Sequence, residues 1–189
     1  MQNTALIKKY SDIYPMLLNM KDLSLLLRDI REERGGLDFD IKEMKIIVDE
    51  KGVPINVESR ERGLSEMMIE DFMLAANEAV AETLFHLKYP CCYRVHEEPN
   101  KERLANVNNI LKAIGEEIKN IDKGVKPKQL QRLMNNIKGT AAEDSVNTLL
   151  LRAMAKARYD SMPLGHYGLA AQYYCHFTSP IRRYPDLQT

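Results

Sequence analysis

The 189-residue chain lacks most of what would mark it for a special environment. Lys plus Arg and Asp plus Glu number 27 each, so the formal net charge is zero. A global basic footprint for a polyanion is therefore missing, and any nucleic-acid site must be local. Cysteine is scarce, with only Cys91, Cys92 and Cys175. Adjacent cysteines rarely pair with each other and no metal-ligand spacing appears, which predicts a reducing, cytoplasmic setting. No apolar run approaches ~18 residues, and no basic flank followed by an apolar block opens the chain. Neither a membrane span nor a secretion signal is expected. Internal repeats and low-complexity tracts are lacking too. What is present, 44% hydrophobic and 29% charged residues, suits one globular domain or a large piece of one.

Residues 1–13 are polar and weakly patterned and read as a connector. Pro15 opens a helical pattern in which Met16, Leu17, Met20, Leu23, Leu27 and Ile30 recur at three- and four-residue steps. Arg28, Arg31 and Arg34 give it a charged, solvated end, and Gly35-Gly36 stop it. Three short strands are expected next, at 37–40, 44–48 and 53–57. The last two flank Asp49-Glu50-Lys51-Gly52, a hairpin turn signal. Alternation places Asp38 and Asp40 on one side of their strand. Two carboxylates without a third ligand are more often a solvated strand face than a metal site. Phe39, beside a glycine turn, reads first as core.

Residues 64–88 give the strongest helix, with Ser65 as its cap. Glu70 and Asn77 are seven apart and share a face two turns apart. A carboxylate and an amide there suit a ribose or a base, and suit a buried hydrogen-bonded pair equally. His96 ends a short buried strand over 91–96. Helices follow over 100–119, from Pro127, and from a cap at Asp144 or Ser145, with apolar stripes in each. Arg152, Lys156 and Arg158 are expected toward the C-terminal half of that last helix, where cations suit the dipole. Residues 119–138 carry six cations against Asp122, either a path for a polyanion or a solvated helix face. Residues 163–170 are glycine-spaced and expected to be extended.

The last stretch, 174–186, carries the sharpest chemistry. Ser179-Pro180 reads as a cap and first helical position, and Arg182-Arg183 fall in the first turn. Cations are misplaced at a helix N-terminus unless an anion joins them. Free N–H groups, the hydroxyls of Thr178 and Ser179 and two forked guanidiniums suit a phosphate. The bland alternative is a surface turn with solvated arginines. Pro185 disfavours a helical Tyr184, which predicts one short turn and then a new helix. Together the patterns predict an α+β fold, predominantly helical with a few short strands.

These residues also resemble a known family. His166-Tyr167-Gly168-Leu169-Ala170 followed by His176-Phe177-Thr178-Ser179-Pro180-Ile181-Arg182-Arg183-Tyr184-Pro185-Asp186-Leu187 resembles the signature of the RNB family of ribonuclease II- and ribonuclease R-type exoribonucleases. Arg34-Gly35-Gly36-Leu37-Asp38-Phe39-Asp40, Ile69-Glu70-Asp71-Phe72 through Glu78, Tyr93-Arg94-Val95-His96 and Leu149 through Met154 fall in the family's order. The resemblance covers about residues 14–187 and is closer to the ribonuclease R branch. It implies one partial catalytic domain over 1–189, corresponding to the middle and later part of the family's domain. It implies 3′-to-5′ hydrolysis of single-stranded RNA to nucleoside 5′-monophosphates by a complete, monomeric enzyme using Mg2+ or Mn2+. By motif, Arg182 resembles the catalytic arginine on the scissile phosphate, Phe39 the aromatic that stacks on a base, and Glu70 an acidic nucleotide contact. Asn77, Thr178, Ser179 and Arg183 join them as candidate RNA contacts.

The family's aspartate cluster belongs upstream of these motifs, and its cold-shock-type and S1-type domains are also not among them. No metal ligand is assigned here, and the chain alone is expected to be inactive, since Arg182 stabilises charge but cannot generate a nucleophile. Two alternatives are a helical interaction or RNA-binding module without catalysis and, more weakly, an acid–base enzyme built on Glu70 and His96. Convergence of the 119–138 cations with Arg182 and Phe39 is expected of an RNA path, and a separate apolar patch of an interaction module.

Overall fold

The computed structural model describes residues 4–39, 43–60 and 62–189. The segment read as a connector contains one short helix, α1 (Thr4–Lys9), which buries nothing. The long helix α2 (Tyr14–Arg34) begins with proline in its first turn, as expected. It ends at Gly35, in the left-handed region at φ 101°, whose N–H reaches Glu32 O at 2.9 Å. A Cβ there would lie 2.8 Å from the Lys128 backbone N, so both conformation and space require glycine.

Helix α2 lies against α3 (Leu64–Leu87), and charge joins them. Arg28 and Arg31 both reach Asp71, at 2.6 and 3.1 Å, and Asp71 is 2% exposed. Arg34 forms a two-bond fork with Glu78 at 2.7 and 2.9 Å. The arginines fall one turn apart and their partners two turns apart, as two apposed helices require. The expected solvated end is therefore an ion-pair seam. The apolar stripe of α2 is not a core face. Met16, Leu23 and Ile30 are about half exposed and Ser24 is the helix's buried residue.

Strands β1 (Glu43–Val48) and β2 (Pro54–Arg60) form an antiparallel hairpin that, among the described residues, pairs with no other strand. Asp49 Oδ1 accepts the N–H groups of Lys51 and Val53, both at 2.9 Å, which closes the predicted turn. Residues 37–39 of the third expected strand form no strand. Leu37 N donates instead to Gly168 O at 2.8 Å, and Asp40 lies outside the described residues. Ser65 is not the cap of α3. Gly63 precedes the helix and its N–H donates to Glu66 Oε2 at 3.0 Å.

The main core lies between α4 (Lys101–Ala113), α5 (Pro127–Ile137) and α6 (Glu143–Ala153). Leu104, Leu111, Leu130 and Leu150 are at most 1% exposed, and burying each stabilises the fold by about 1.5–3 kcal/mol. Tyr167 seals this core and donates its hydroxyl to Val125 O at 2.6 Å. Helix α6 starts two or three residues earlier than expected, with Ala142 before it and Glu143 accepting from Gly139 N. It stops at Ala153, which puts Lys156 and Arg158 beyond it.

Strands β3 (Tyr93–Val95) and β4 (Arg158–Asp160) pair antiparallel, and Tyr93 also bridges Cys175. Ala81, Cys91, Tyr93, Val95 and Cys175 form a second, smaller core. Within 163–170, read as extended, Tyr167–Leu169 form a 3-10 turn whose Leu169 N–H donates to His166 Nδ1. The chain closes with α7 (Tyr184–Gln188). Among the described residues no helix is long and apolar enough to cross a membrane.

Candidate nucleic-acid interface

The arginine stretch forms as its prolines dictate. Arg182 N and Arg183 N both donate to Ser179 O, at 3.3 and 3.1 Å, which makes one turn. Helix α7 then starts at Tyr184 with Pro185 in its first turn. Ser179 does not cap with its hydroxyl. Its backbone N–H donates to Asp186 Oδ2 at 2.8 Å, and Arg183 Nη2 donates to the same oxygen at 2.8 Å. Burial pushes the Asp186 carboxyl up, but Arg183 and the Ser179 N–H outweigh it and hold the group below its usual range. Arg183 is thus committed internally. Arg182 is exposed, forms no ion pair among the described residues, and stands on the turn between the paired Arg183 and the fully exposed Ile181. Thr178 Oγ1 is buried without a hydrogen-bond partner, as are Arg183 Nε and Asp186 Oδ1.

Asn77 sets where this turn sits. It is 2% exposed. Its Oδ1 accepts Phe177 N at 2.9 Å and Thr178 N at 3.2 Å, and its Nδ2 donates to Tyr174 Oη at 3.2 Å. Cys175 Sγ donates to Asn77 O at 3.4 Å. Its Oδ1 is filled by two backbone N–H groups and the side chain is enclosed, so the buried-amide alternative holds. Asn77 positions the stretch that carries Arg182.

Glu70, two turns away on α3, reaches Arg62 at 3.2 Å, and Arg62 reaches Asp38 at 2.8 Å. All three are substantially exposed, so these pairs are worth at most about 1 kcal/mol each. Glu70, Glu66, Asn77, Tyr174 and Arg183 line one cavity of about 500 Å³. Phe39 lines a different one, of about 910 Å³, with His96, His166, Arg103, Arg152 and Lys156. Asp38 turns to Arg62, while Leu37 and Phe39 pack against the main core and line the second cavity. Phe39 is half-buried, combining the core reading with an accessible ring.

His96 is not an acid–base partner of Glu70. The two line different cavities, and both ring nitrogens of His96 are engaged. Nδ1 accepts Gly168 N–H at 3.0 Å, so Nε2 carries the proton to Ala155 O at 2.9 Å. That neutral tautomer agrees with a pKa lowered by burial. His166 is pushed down to about 3 by burial, with His96 and Arg94 adding to it. His176 is pushed down to about 4 by burial and Arg183. Rings stack edge-on from His96 through His166 and Tyr174 to His176, a neutral spine behind the arginine turn.

None of the six cations of 119–138 lines either cavity, and Lys128 Nζ donates to Glu33 O at 2.8 Å. Apolar residues are exposed on α2 and on the hairpin, away from the residues lining the two cavities. By themselves these two observations fit an interaction module. Among the described residues no group of three or more His, Cys, Asp or Glu could hold a metal. Asp38 is engaged by Arg62. The described residues therefore do not fit a catalytic metal centre.

Sequence reasoning missed Asp186, although its i, i+3 spacing from Arg183 on a short helix was a usable signal. It also missed the approach of Arg103 to Arg152 O, which no local spacing announces.

Comparison with known proteins places the chain in a family. The chain is 45% identical to ribonuclease R 1 of Lactococcus lactis over 183 residues, 97% of this chain and 22% of that protein. It is 44% identical to ribonuclease R of Aquifex aeolicus, over 97% of this chain and 26% of that one. The solved structure of Mycoplasma genitalium RNase R in complex with ribose methylated single-stranded RNA superposes with a TM-score of 0.86 at 36% identity. That match covers 90% of this chain and 27% of the other. The chain thus spans about a quarter of the length of these relatives. Residues 2–189 match the RNB domain, and the chain belongs to the RNB family.

Proposed function

We propose that the chain supplies the phosphate- and base-facing side of a 3′-to-5′ exoribonuclease that releases nucleoside 5′-monophosphates from single-stranded RNA. The observation that carries this reading is Arg182, exposed and free of any carboxylate among the described residues, on a turn fixed from behind by Asn77 and Asp186. A carboxylate partner would satisfy the guanidinium permanently and leave nothing for a phosphate. Its planar fork can take two phosphoryl oxygens at once. Because the turn is already held, little reorganisation opposes stabilisation of charge as it develops. Ser179 stands on the same turn with its hydroxyl, the Thr178 hydroxyl lies buried behind it, and Glu70 lines the adjoining cavity as a nucleotide contact. Phe39 offers a ring face to a base.

Mg2+ or Mn2+ is the cofactor proposed for the complete enzyme, held by carboxylates outside the described residues. Arg182 orients and stabilises the phosphate and does not activate water. The test compares the chain alone with the chain joined in one polypeptide to the aspartate-bearing portion of an RNB catalytic domain. Alone, with added Mg2+ or Mn2+, it should release no nucleotide from single-stranded RNA above a buffer control. In the joined protein Arg182→Lys should lower the single-turnover cleavage rate about 10²–10³-fold with a smaller effect on equilibrium binding. A large loss of affinity at an unchanged cleavage rate would make Arg182 a binding residue only.

A further inference from the structure

The cavity of about 910 Å³ lies apart from Arg182 and has a one-signed lining. Arg103, Arg152 and Lys156 line it, and no aspartate or glutamate does. The other cavity, by contrast, sets Glu66 and Glu70 against Arg183. The cations come from three places in the fold: α4, the last turn of α6, and the segment after α6. Arg152 suits the C-terminal end of α6 by its dipole. Arg103 owes its place to a bond with the end of α6 rather than to its own helix. It sits in the first turn of α4, where Asn100 already caps the helix and a cation is unfavourable. Its Nη1 leans over to Arg152 O at 3.2 Å, bringing two guanidinium-bearing residues together at one end of the cavity. Arg152 and Lys156 form no ion pair among the described residues, although carboxylates are plentiful on this chain. Such a cluster is stabilised by an anion from outside.

The rest of the lining is apolar or neutral. Phe39 presents its ring, Ile110 and Leu149 form apolar wall, and His96 and His166 are held neutral by burial. Unpaired cations beside an aromatic face and an apolar floor match the chemistry of single-stranded nucleic acid, with phosphates on the cations and bases on the ring. The volume falls in the range of ligand sites. We propose that this groove holds a second stretch of the RNA strand, separate from the phosphate at Arg182, with Arg103, Arg152 and Lys156 as its backbone contacts. The proposal rests on the reading of single-stranded RNA as substrate. It moves the basic track from 119–138 to residues that are scattered in sequence.

The test is fluorescence anisotropy with a fluorescein-labelled 12-nucleotide oligo(A), titrated with the full chain at several salt concentrations. Arg152→Gln/Lys156→Gln removes two charges whose side chains make no ion pair among the described residues, and its thermal melt should stay close to the parent's, lowered only by the loss of Arg152 from the end of α6. Arg103 is left alone because its bond to Arg152 O is structural. The double variant should bind about tenfold more weakly, and the slope of log affinity against log salt should fall by about 1.4, two phosphate contacts at roughly 0.7 each. Unchanged affinity and slope in the double variant, with Arg182→Gln still weakening binding, overturns the groove and leaves the nuclease reading standing. That is also the outcome expected if a protein segment fills the groove. No binding by the parent chain above that of an uncharged polymer control sinks both.

Discussion

Asn77→Ala is the most informative single perturbation of the site. The substitution removes one acceptor that holds two backbone N–H groups, Phe177 and Thr178, and one donor to the Tyr174 hydroxyl. A buried N–H left without a partner costs about 1–3 kcal/mol. Phe177 is 43% exposed, so water can replace part of its loss, whereas Thr178 and Tyr174 are more enclosed. The expected destabilisation is about 2–4 kcal/mol. The chain has no tryptophan, so urea unfolding followed by far-UV circular dichroism is the suitable probe. With a urea m-value of about 2 kcal/mol/M, the midpoint should fall by roughly 1–2 M. Amide exchange at Phe177 and Thr178 should accelerate more than at Leu130 or Leu150 in the main core. Asn77→Asp keeps the acceptor and should retain more protection at those two amides than the alanine variant. A loss below about 0.5 kcal/mol with unchanged exchange would refute the clamp.

Four other outcomes follow from the same geometry. Phe39→Ala should weaken binding of a short single-stranded RNA by about 1–3 kcal/mol in a catalytically complete protein, and lost stability with intact affinity would make Phe39 core only. Gly35→Ala should lower the thermal midpoint, because it places a Cβ 2.8 Å from Lys128 N and strains a φ of 101°; an unchanged melt refutes the close approach. His166 and His176 have folded pKa values of about 3 and about 4, below the ordinary histidine value. The unfolded chain therefore binds protons first as pH falls, so urea midpoints should drop steadily below about pH 6.5, and His166→Gln should flatten that dependence. Asp186 has a depressed folded pKa, so its stabilisation is present above about pH 3.9, the unfolded carboxylate value, and is lost as pH falls through the lower folded one. Asp186→Asn should reduce the acid sensitivity in that lower range while weakening the fold at neutral pH.

What the sequence disclosed was what local pattern controls. The α4–α6 core was legible because its apolar residues recur at helical spacing and Pro127 marks a start. The hairpin was legible because Asp49 and Gly52 carry its turn chemistry. The one-turn-then-helix form of 179–188 followed from Pro180 and Pro185. The arginines of α2 were illegible because their partners lie 40 to 44 residues away. Periodicity in α2 reports an apolar stripe but not whether anything covers it, and the described residues leave it exposed. Asn77 could be placed on the face of Glu70, yet its burial depends on a segment about 100 residues later. The meeting of Arg103, Arg152 and Lys156 depends on where α6 stops, which a pattern of good helix formers does not fix.

The contacts of Asn77 also bear on the order of folding. They join positions 97, 100 and 101 residues apart, while the core of α4, α5 and α6 assembles from neighbours in sequence. Closing a loop of that length costs entropy before any contact made by the amide repays it. Helices α4–α6 should therefore consolidate early, and the arginine turn should dock late, onto a surface already formed. In a refolding experiment with pulsed hydrogen exchange, the amides of Phe177 and Thr178 should gain protection after those of Leu130 and Leu150. The segment on which the chemistry depends is thus the one whose arrival reports that the rest of the fold is in place.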